Sequence, residues 1–234
     1  MSNSIDQIFG NAVRANQKQL ASELSKEFDF IVCGSGSSGS VVAGRLAANP
    51  DVSVLLIEAG GSDETDLVLD TDRWPMNLGG ELDWGFVTEP NPNMNGRSIL
   101  YSMGKVLGGG SSINVGTWSR GHQADWDMYA AEAGDQGWGY DAVLHLYRSR
   151  VEDWVGVPDP DFYGIGGAMH VQPVDNPDSF SLAMLDAAES AGLKQFLNSG
   201  GQMMTEAGGC AIVDTPAGAP ARASTVVLSS LRRS

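Results

Sequence analysis

The chain has few basic residues, few cysteines and histidines, and no long apolar run. Its 14 Lys and Arg stand against 29 Asp and Glu, giving a formal net charge of −15. A surface of that sign repels nucleic acid and anionic membrane, so neither is expected as a partner. Two cysteines, Cys33 and Cys210, make neither a metal site nor a disulfide framework, so no metal is expected. A reduced, cytoplasmic setting follows as the expectation. No segment reaches membrane-spanning length, and the N-terminus lacks the basic-then-apolar pattern of a signal peptide. The only histidines are His122, His145 and His170, which leaves few places for an imidazole base.

Glycine, in contrast, is abundant. There are 30, many in clusters that suggest backbone lying close to a ligand. Apolar residues make up 42%, enough for one large domain or two small ones. A scarcity of Lys and Arg does not exclude a phosphate-bearing ligand, because backbone N–H groups and a helix N-terminus can hold pyrophosphate.

The first cluster is Gly34-Ser35-Gly36-Ser37-Ser38-Gly39. It follows an apolar run at 28–33 read as having no solvent face, as expected of a buried parallel strand with Cys33 inside it. A helix is predicted from about Ser38 to Ala48, with Val41, Val42 and Leu46 facing inward, stopped by Asn49-Pro50. Val52–Glu58 reads as a second strand, which puts an acid 19 residues after Gly39 (58 − 39). In such a βαβ unit Gly34 allows the tight turn, Gly36 the approach of a pyrophosphate, and Gly39 close packing of helix on strand. Glu58 suits the adenosine ribose hydroxyls and would repel a 2′-phosphate, which disfavours NADP. The unit specifies an ADP moiety and leaves NAD and FAD open.

Elsewhere the patterns are coarser. Residues 4–26 read as an amphipathic helix with a capping box at Ser4 and a stripe of Ile5, Ile8, Phe9, Ala12, Val13, Leu20 and Leu24. Residues 62–83 look like loop. A hairpin is predicted for Phe86–Thr88 with Ser98–Tyr101. Helices are expected near 125–133, 140–151 and 181–191, and a strand at Met169–Pro173. The Gly/Pro-rich stretch 156–168 marks a plausible domain boundary. The tail from 207 is Gly/Ala-rich.

The second cluster, Gly104 to Gly110, opens the run Gly104-Lys105-Val106-Leu107-Gly108-Gly109-Gly110-Ser111-Ser112-Ile113-Asn114-Val115-Gly116-Thr117-Trp118-Ser119-Arg120-Gly121-His122. Three successive glycines make a loop that can lie against a flat ring or a phosphate, with hydroxyls and an indole nearby. This run resembles the first signature of the glucose–methanol–choline (GMC) oxidoreductases. Ile57-Glu58-Ala59-Gly60, Asp83-Trp84, Thr88-Glu89-Pro90 and Trp138-Gly139-Tyr140 through Glu152 are similar to further segments of the same family. The resemblance covers about residues 28–175.

It implies an α/β fold with a Rossmann-like FAD-binding domain, followed by the start of a second α+β substrate domain. The implied division is a helical extension at 1–27, an FAD-binding domain at 28–155 and a partial substrate domain at 156–234. The resemblance also implies that Gly34, Gly36, Ser37, Ser38 and Gly39 contact the pyrophosphate of FAD, and Glu58 and Ala59 its adenosine. Val106, Gly110, Asn114, Val115, Gly116, Thr117 and Trp118 would lie along the flavin. Asn114 stands where some members attach FAD through a His, so non-covalent FAD is expected. Gly110 stands where Ser is common. The implied activity is oxidation of a small-molecule alcohol by hydride transfer to flavin N5.

The family's second signature and its catalytic His are not found, and none of the three histidines has the surroundings of the base. The chain is therefore read as an N-terminal portion, with catalytic residues expected beyond Ser234 and a C-terminal half or oligomer partner to complete it. Two alternatives stand beside alcohol oxidation: a catalytically incompetent FAD-binding fragment, and a non-redox member such as a hydroxynitrile lyase. A plain NAD-dependent dehydrogenase leaves residues 104–127 unexplained.

Overall fold

A computed structural model describes residues 2–174, 177–206 and 208–216. They divide into two compact units that part between Val115 and Gly116, the second being Gly116–Ala217.

The first unit begins with helix α1 (Ser2–Ser22). It starts two residues before Ser4, so the expected capping box does not form its start, and it stops short of residue 26. Arg14 on this helix pairs with Glu64 at 2.5 Å and with Asp63 at 3.7 Å. Of the expected apolar stripe, Leu20 and Leu24 are exposed, while the side chains of Ile5, Ile8, Phe9 and Val13 lie outside the described residues.

Strand β1 (Phe30–Cys33), helix α2 (Ser37–Leu46) and strand β2 (Val54–Ile57) follow in the expected order. The strands pair in parallel from Phe30–Val54 to Cys33–Ile57. Among the described residues this sheet has two strands, and the expected burial fails. Phe30, Ile31 and Ile57 are exposed, and so is Cys33. A parallel strand reads as uniformly apolar because layers cover both its faces; here α2 is the helix packed on the pair. That helix packs through small residues, Ser40, Ala43 and Ala47, while Val41 and Val42 face outward and Leu46 is half-buried.

Residues 62–83, expected as loop, contain a short helix α3 (Asp66–Leu69) and a 3₁₀ segment Thr71–Asn77. The Asn77 side chain donates to the Leu67 carbonyl at 2.9 Å and ties the two together. Val68 then joins Val106 and Ile113 in a small core. The expected hairpin forms from β3 (Phe86–Val87) and β4 (Leu100–Tyr101).

The second unit contains helices α4 (Gln123–Ala133) and α5 (Tyr140–Leu146). The last turn of α5 widens into a π-helix, Tyr147–Val151. A three-stranded sheet follows in the order β5 (Glu152–Trp154), β6 (Met169–Pro173), β7 (Asp214–Pro216). β5 is parallel to β6, and β7 antiparallel to it. β6 has the predicted bounds, whereas β5 and β7 were not anticipated. Its core is Trp154, Tyr163 and Val171, with Trp118, Phe162 and Met169 against it. The Gly/Pro-rich stretch 156–168 lies within this unit and is bonded to β5. The Gly164 carbonyl accepts from the Trp154 N–H, and the Gly167 N–H donates to the Glu152 carbonyl, both at 2.9 Å. Helix α6 (Ser179–Ser190) is capped by Asp178, whose Oδ1 accepts from the N–H groups of Phe180 and Ser181. Most of the Gly/Ala-rich tail, 217–234, lies outside the described residues. No helix among the described residues is long and apolar enough to cross a membrane.

Candidate functional site

The two glycine clusters, 70 positions apart from Gly34 to Gly104, meet in the first unit. Gly34 leaves β1 with φ +94°, a backbone region open to glycine, and its N–H donates to the Ile57 carbonyl at 2.7 Å. A Cβ at Gly39 would lie 2.0 Å from the Gly34 carbonyl oxygen, so only glycine lets α2 start this close to the turn. Gly109 (φ +57°) passes so near that its Cβ would lie 2.8 Å from the Gly36 Cα. The second loop also contacts the end of β2. Gly61 bridges to Val106, and the Leu107 N–H donates to the Gly61 carbonyl at 2.9 Å. Hydroxyls stitch the two loops: Ser37 Oγ hydrogen-bonds Ser111 Oγ.

Glu58, at the end of β2, is bonded to the first loop. Its Oε2 accepts from both the N–H and the Oγ–H of Ser35, each at 2.7 Å, and its Oε1 accepts from the Gly60 N–H at 2.7 Å. Burial pushes the carboxyl pKa up, but these hydrogen bonds outweigh it, and the net shift is downward. The group stays charged at neutral pH.

A phosphate-bearing group fits what is left open. Gly36, the N-cap of the ten-residue α2, supplies no side-chain cap, so the first N–H groups of the helix, at Ser37 and Ser38, point outward without one. A Cβ built on Gly36 would meet nothing nearer than 4.0 Å, and one on Gly110 nothing within 4 Å. Backbone is thus laid bare on both loops.

Ser37, Ser38, Ala59, Gly110, Asn114 and Val115 are exposed at or beside the two loops. The Val106 side chain is fully buried in the small core, so it is the backbone of Val106 that faces the end of β2. The Asn114 amide donates to the Ser111 carbonyl at 3.3 Å. Gly116, Thr117 and Trp118 belong to the second unit.

In that unit Trp118 is held from two sides. Its main-chain N–H donates to the Asp214 carbonyl and its indole N–H to Glu152 Oε1, both at 2.8 Å. Glu152 is fully buried and pairs with the buried Arg120 at 3.3 Å. The Arg120 guanidinium also donates to the carbonyls of Phe162 and Gly200 and lies 4.7 Å over the Tyr163 ring. Tyr163 Oη donates to Asp214 Oδ2 at 2.5 Å, and the Gly200 N–H donates to the same carboxylate at 2.8 Å. Burial raises the pKa of Glu152 against the opposing pull of Arg120, and that of Asp214 against the hydrogen bond from Tyr163. Pattern reading missed this cluster. The one signal available was Arg120 itself, a charge inside a glycine-rich run with no charged neighbour in sequence closer than Asp125.

The histidines are all accounted for. His122 caps α4: its Nδ1 accepts from the Ala124 N–H at 3.1 Å and its Nε2 meets the Glu206 carbonyl at 3.0 Å. His145, expected among core residues, is exposed. His170 pairs with Asp153 at 2.6 Å. No group of three metal-ligating side chains occurs among the described residues.

Comparison with known proteins agrees with this geometry. A GMC oxidoreductase family model matches residues 28–231. The chain is 38% identical to an uncharacterized GMC-type oxidoreductase of Mycobacterium bovis, over 72% of this chain and 32% of that protein. It is 39% identical to the oxygen-dependent choline dehydrogenase of Sinorhizobium medicae, over 71% of this chain and 30% of that one. Among solved structures, pyridoxine 4-oxidase from Mesorhizobium loti superposes with a TM-score of 0.69 at 29% identity, covering 74% of this chain and 34% of the oxidase. The chain therefore spans about a third of the length of these relatives. Its Rossmann-like α/β fold and its matched sequence assign it: the chain belongs to the GMC oxidoreductase family, whose N-terminal portion it resembles.

Proposed function

We propose that the chain binds FAD non-covalently and serves a flavin-dependent oxidation of a small-molecule alcohol. The observation that carries this reading is the meeting of the two glycine loops, with bare backbone on both and a charged Glu58 at one end. The N–H groups of Ser37 and Ser38, beside Gly34, Gly36 and Gly39, would hold the pyrophosphate by charge-assisted hydrogen bonds. Glu58 and Ala59 would face the adenosine, and Gly110, Asn114 and Val115 the flavin. An amide at Asn114 offers no nucleophile for a covalent link. Bound FAD would supply the hydride acceptor; the chain's own residues bind and orient it. Residues 28–155 form the FAD-binding part in this reading, and 156–234 the start of a substrate part. The choline, pyridoxine and formate named for relatives support an alcohol or similar small donor as the substrate class.

A second reading, FAD binding without turnover by this chain alone, is favoured by the histidines. His122 is committed as a helix cap, His170 to Asp153, and His145 stands on an exposed helix face.

Anaerobic titration of the purified, FAD-loaded chain with a panel of small alcohols tests both. Flavin absorbance that bleaches supports alcohol oxidation. Flavin absorbance that no alcohol bleaches supports the second reading. A chain that fails to quench the fluorescence of added FAD sinks both.

A further inference from the structure

We propose that Ser35 is a positioning residue that couples the adenosine side of the site to the second glycine loop through its hydroxyl. This rests on the FAD reading above, and it concerns a residue about which the glycine pattern says nothing: position 35 is one of the free positions of GxGxxG.

Ser35 is only 2% exposed, and all its polar groups are engaged. Its N–H donates to Glu58 Oε2 at 2.7 Å, and its carbonyl accepts from Ser40 Oγ at 2.6 Å. Its hydroxyl does two different things. The proton goes to Glu58 Oε2 at 2.7 Å, and a lone pair accepts the buried N–H of Gly108 at 3.0 Å. A hydroxyl has one proton and two lone pairs, so this use is chemically complete. Gly108 is the residue from which the Gly109–Ser112 turn starts, with φ +90°. The carboxylate at the end of β2 and the start of the second loop are thus bonded to one oxygen, 23 and 73 positions away from it in sequence.

Alanine at 35 would keep the two main-chain bonds and delete both hydroxyl bonds. Glu58 would lose a donor, and the buried Gly108 N–H would lose its acceptor. FAD reaches both loops in the proposed site, whereas ADP reaches only the first. A coupling residue must therefore matter more to FAD than to ADP.

The test uses the full apo chain. FAD binding is read by quenching of flavin fluorescence, and ADP binding by competition against it. Ser35→Ala is expected to weaken FAD about tenfold or more, and ADP less. Equal losses for the two ligands, or no loss, would overturn the proposal. As a measurement that needs no variant, ADP added to the wild-type chain is expected to slow amide exchange at residues 108–112, although ADP does not reach them. Unchanged exchange there overturns the coupling even if Ser35→Ala does not fold. A wild-type chain that binds neither FAD nor ADP counts against the FAD reading itself, a result distinct from a wild-type chain that binds FAD and ADP but shows no coupling.

Discussion

The two units bury polar groups in opposite ways. Around Glu58 the donors are mostly backbone, supplied by glycine-permitted turns, and the carboxyl is half-buried with its pKa lowered. Around Glu152 the donors are long side chains, Trp118 and Arg120, the group is fully buried, and its pKa is raised. The first arrangement leaves backbone open to a ligand. The second leaves no room and fixes the packing of its own sheet. The difference is that the glycine loops keep backbone accessible at Gly36 and Gly110, whereas the charged cluster engages its polar groups with one another.

The sharpest way to break that comparison is to remove Arg120. Leaving Glu152 uncompensated in the interior is expected to cost about 3–5 kcal/mol, so Arg120→Met should lower the urea midpoint of the second unit severely. Amide exchange across Glu152–Pro173 should rise, while Phe30–Ile57 stays protected. Equal loosening of both segments would show that the cluster does not belong to one unit alone.

Gly39→Ala probes the other side. Its Cβ would meet the Gly34 carbonyl at 2.0 Å, and overpacking of this kind costs about 1–3 kcal/mol. Loss of FAD quenching together with weaker protection of Phe30–Ile57 is expected. A variant that binds FAD as the wild type does would mean that helix and turn can separate without harm to the site.

Acid and base should separate the regions as well. The folded pKa of Glu58 and of Asp83 lies below the unfolded values of 4.5 and 3.8, so their stabilisation is present above those values and lost as pH falls through the folded pKa. For Asp83 the main cause is hydrogen bonding from the N–H groups of Gly79 and Gly85. Glu152 and Asp214 have folded pKa values above 4.5 and 3.8, so their contribution is full below those values and declines as pH rises through the folded pKa. Segment-resolved exchange corrected for intrinsic rates, followed from neutral pH down to about pH 2, should show relative protection rising in the second unit as pH approaches the ordinary carboxylate range, and falling in the first unit only below about pH 4. The same trend in both would refute the contrast.

The smallest effect is expected at Gly110, where a Cβ meets nothing within 4 Å. Gly110→Ser should change stability by no more than about 0.5 kcal/mol, read as an unchanged melting temperature. A large loss would mean that this face of the loop is occupied.

Much of the first unit was legible because its determinants are local. Gly34, Gly36, Gly39 and Glu58 occur at spacings that a strand–turn–helix–strand path imposes, and the path is as read. Burial was misjudged for Ile31, Val41 and Cys33, since an apolar run reports what a residue prefers and not whether a neighbouring layer is present. The helix at Asp66–Leu69 was missed because four residues carry too little periodicity to see. Strand β7 was hidden for a similar reason: three residues, one of them proline, in a Gly/Ala-rich stretch.

By itself the sequence determined the βαβ unit, the second glycine loop and, through them, the family. These depend on backbone conformations that glycine positions specify within a few residues. Only the tertiary structure decided that Ser35 joins the two loops and that Arg120, Glu152, Tyr163 and Asp214 share one interior. Those bonds link residues 32 to 73 positions apart, and a buried hydroxyl or charge declares its role only when the fold has brought its partner to it.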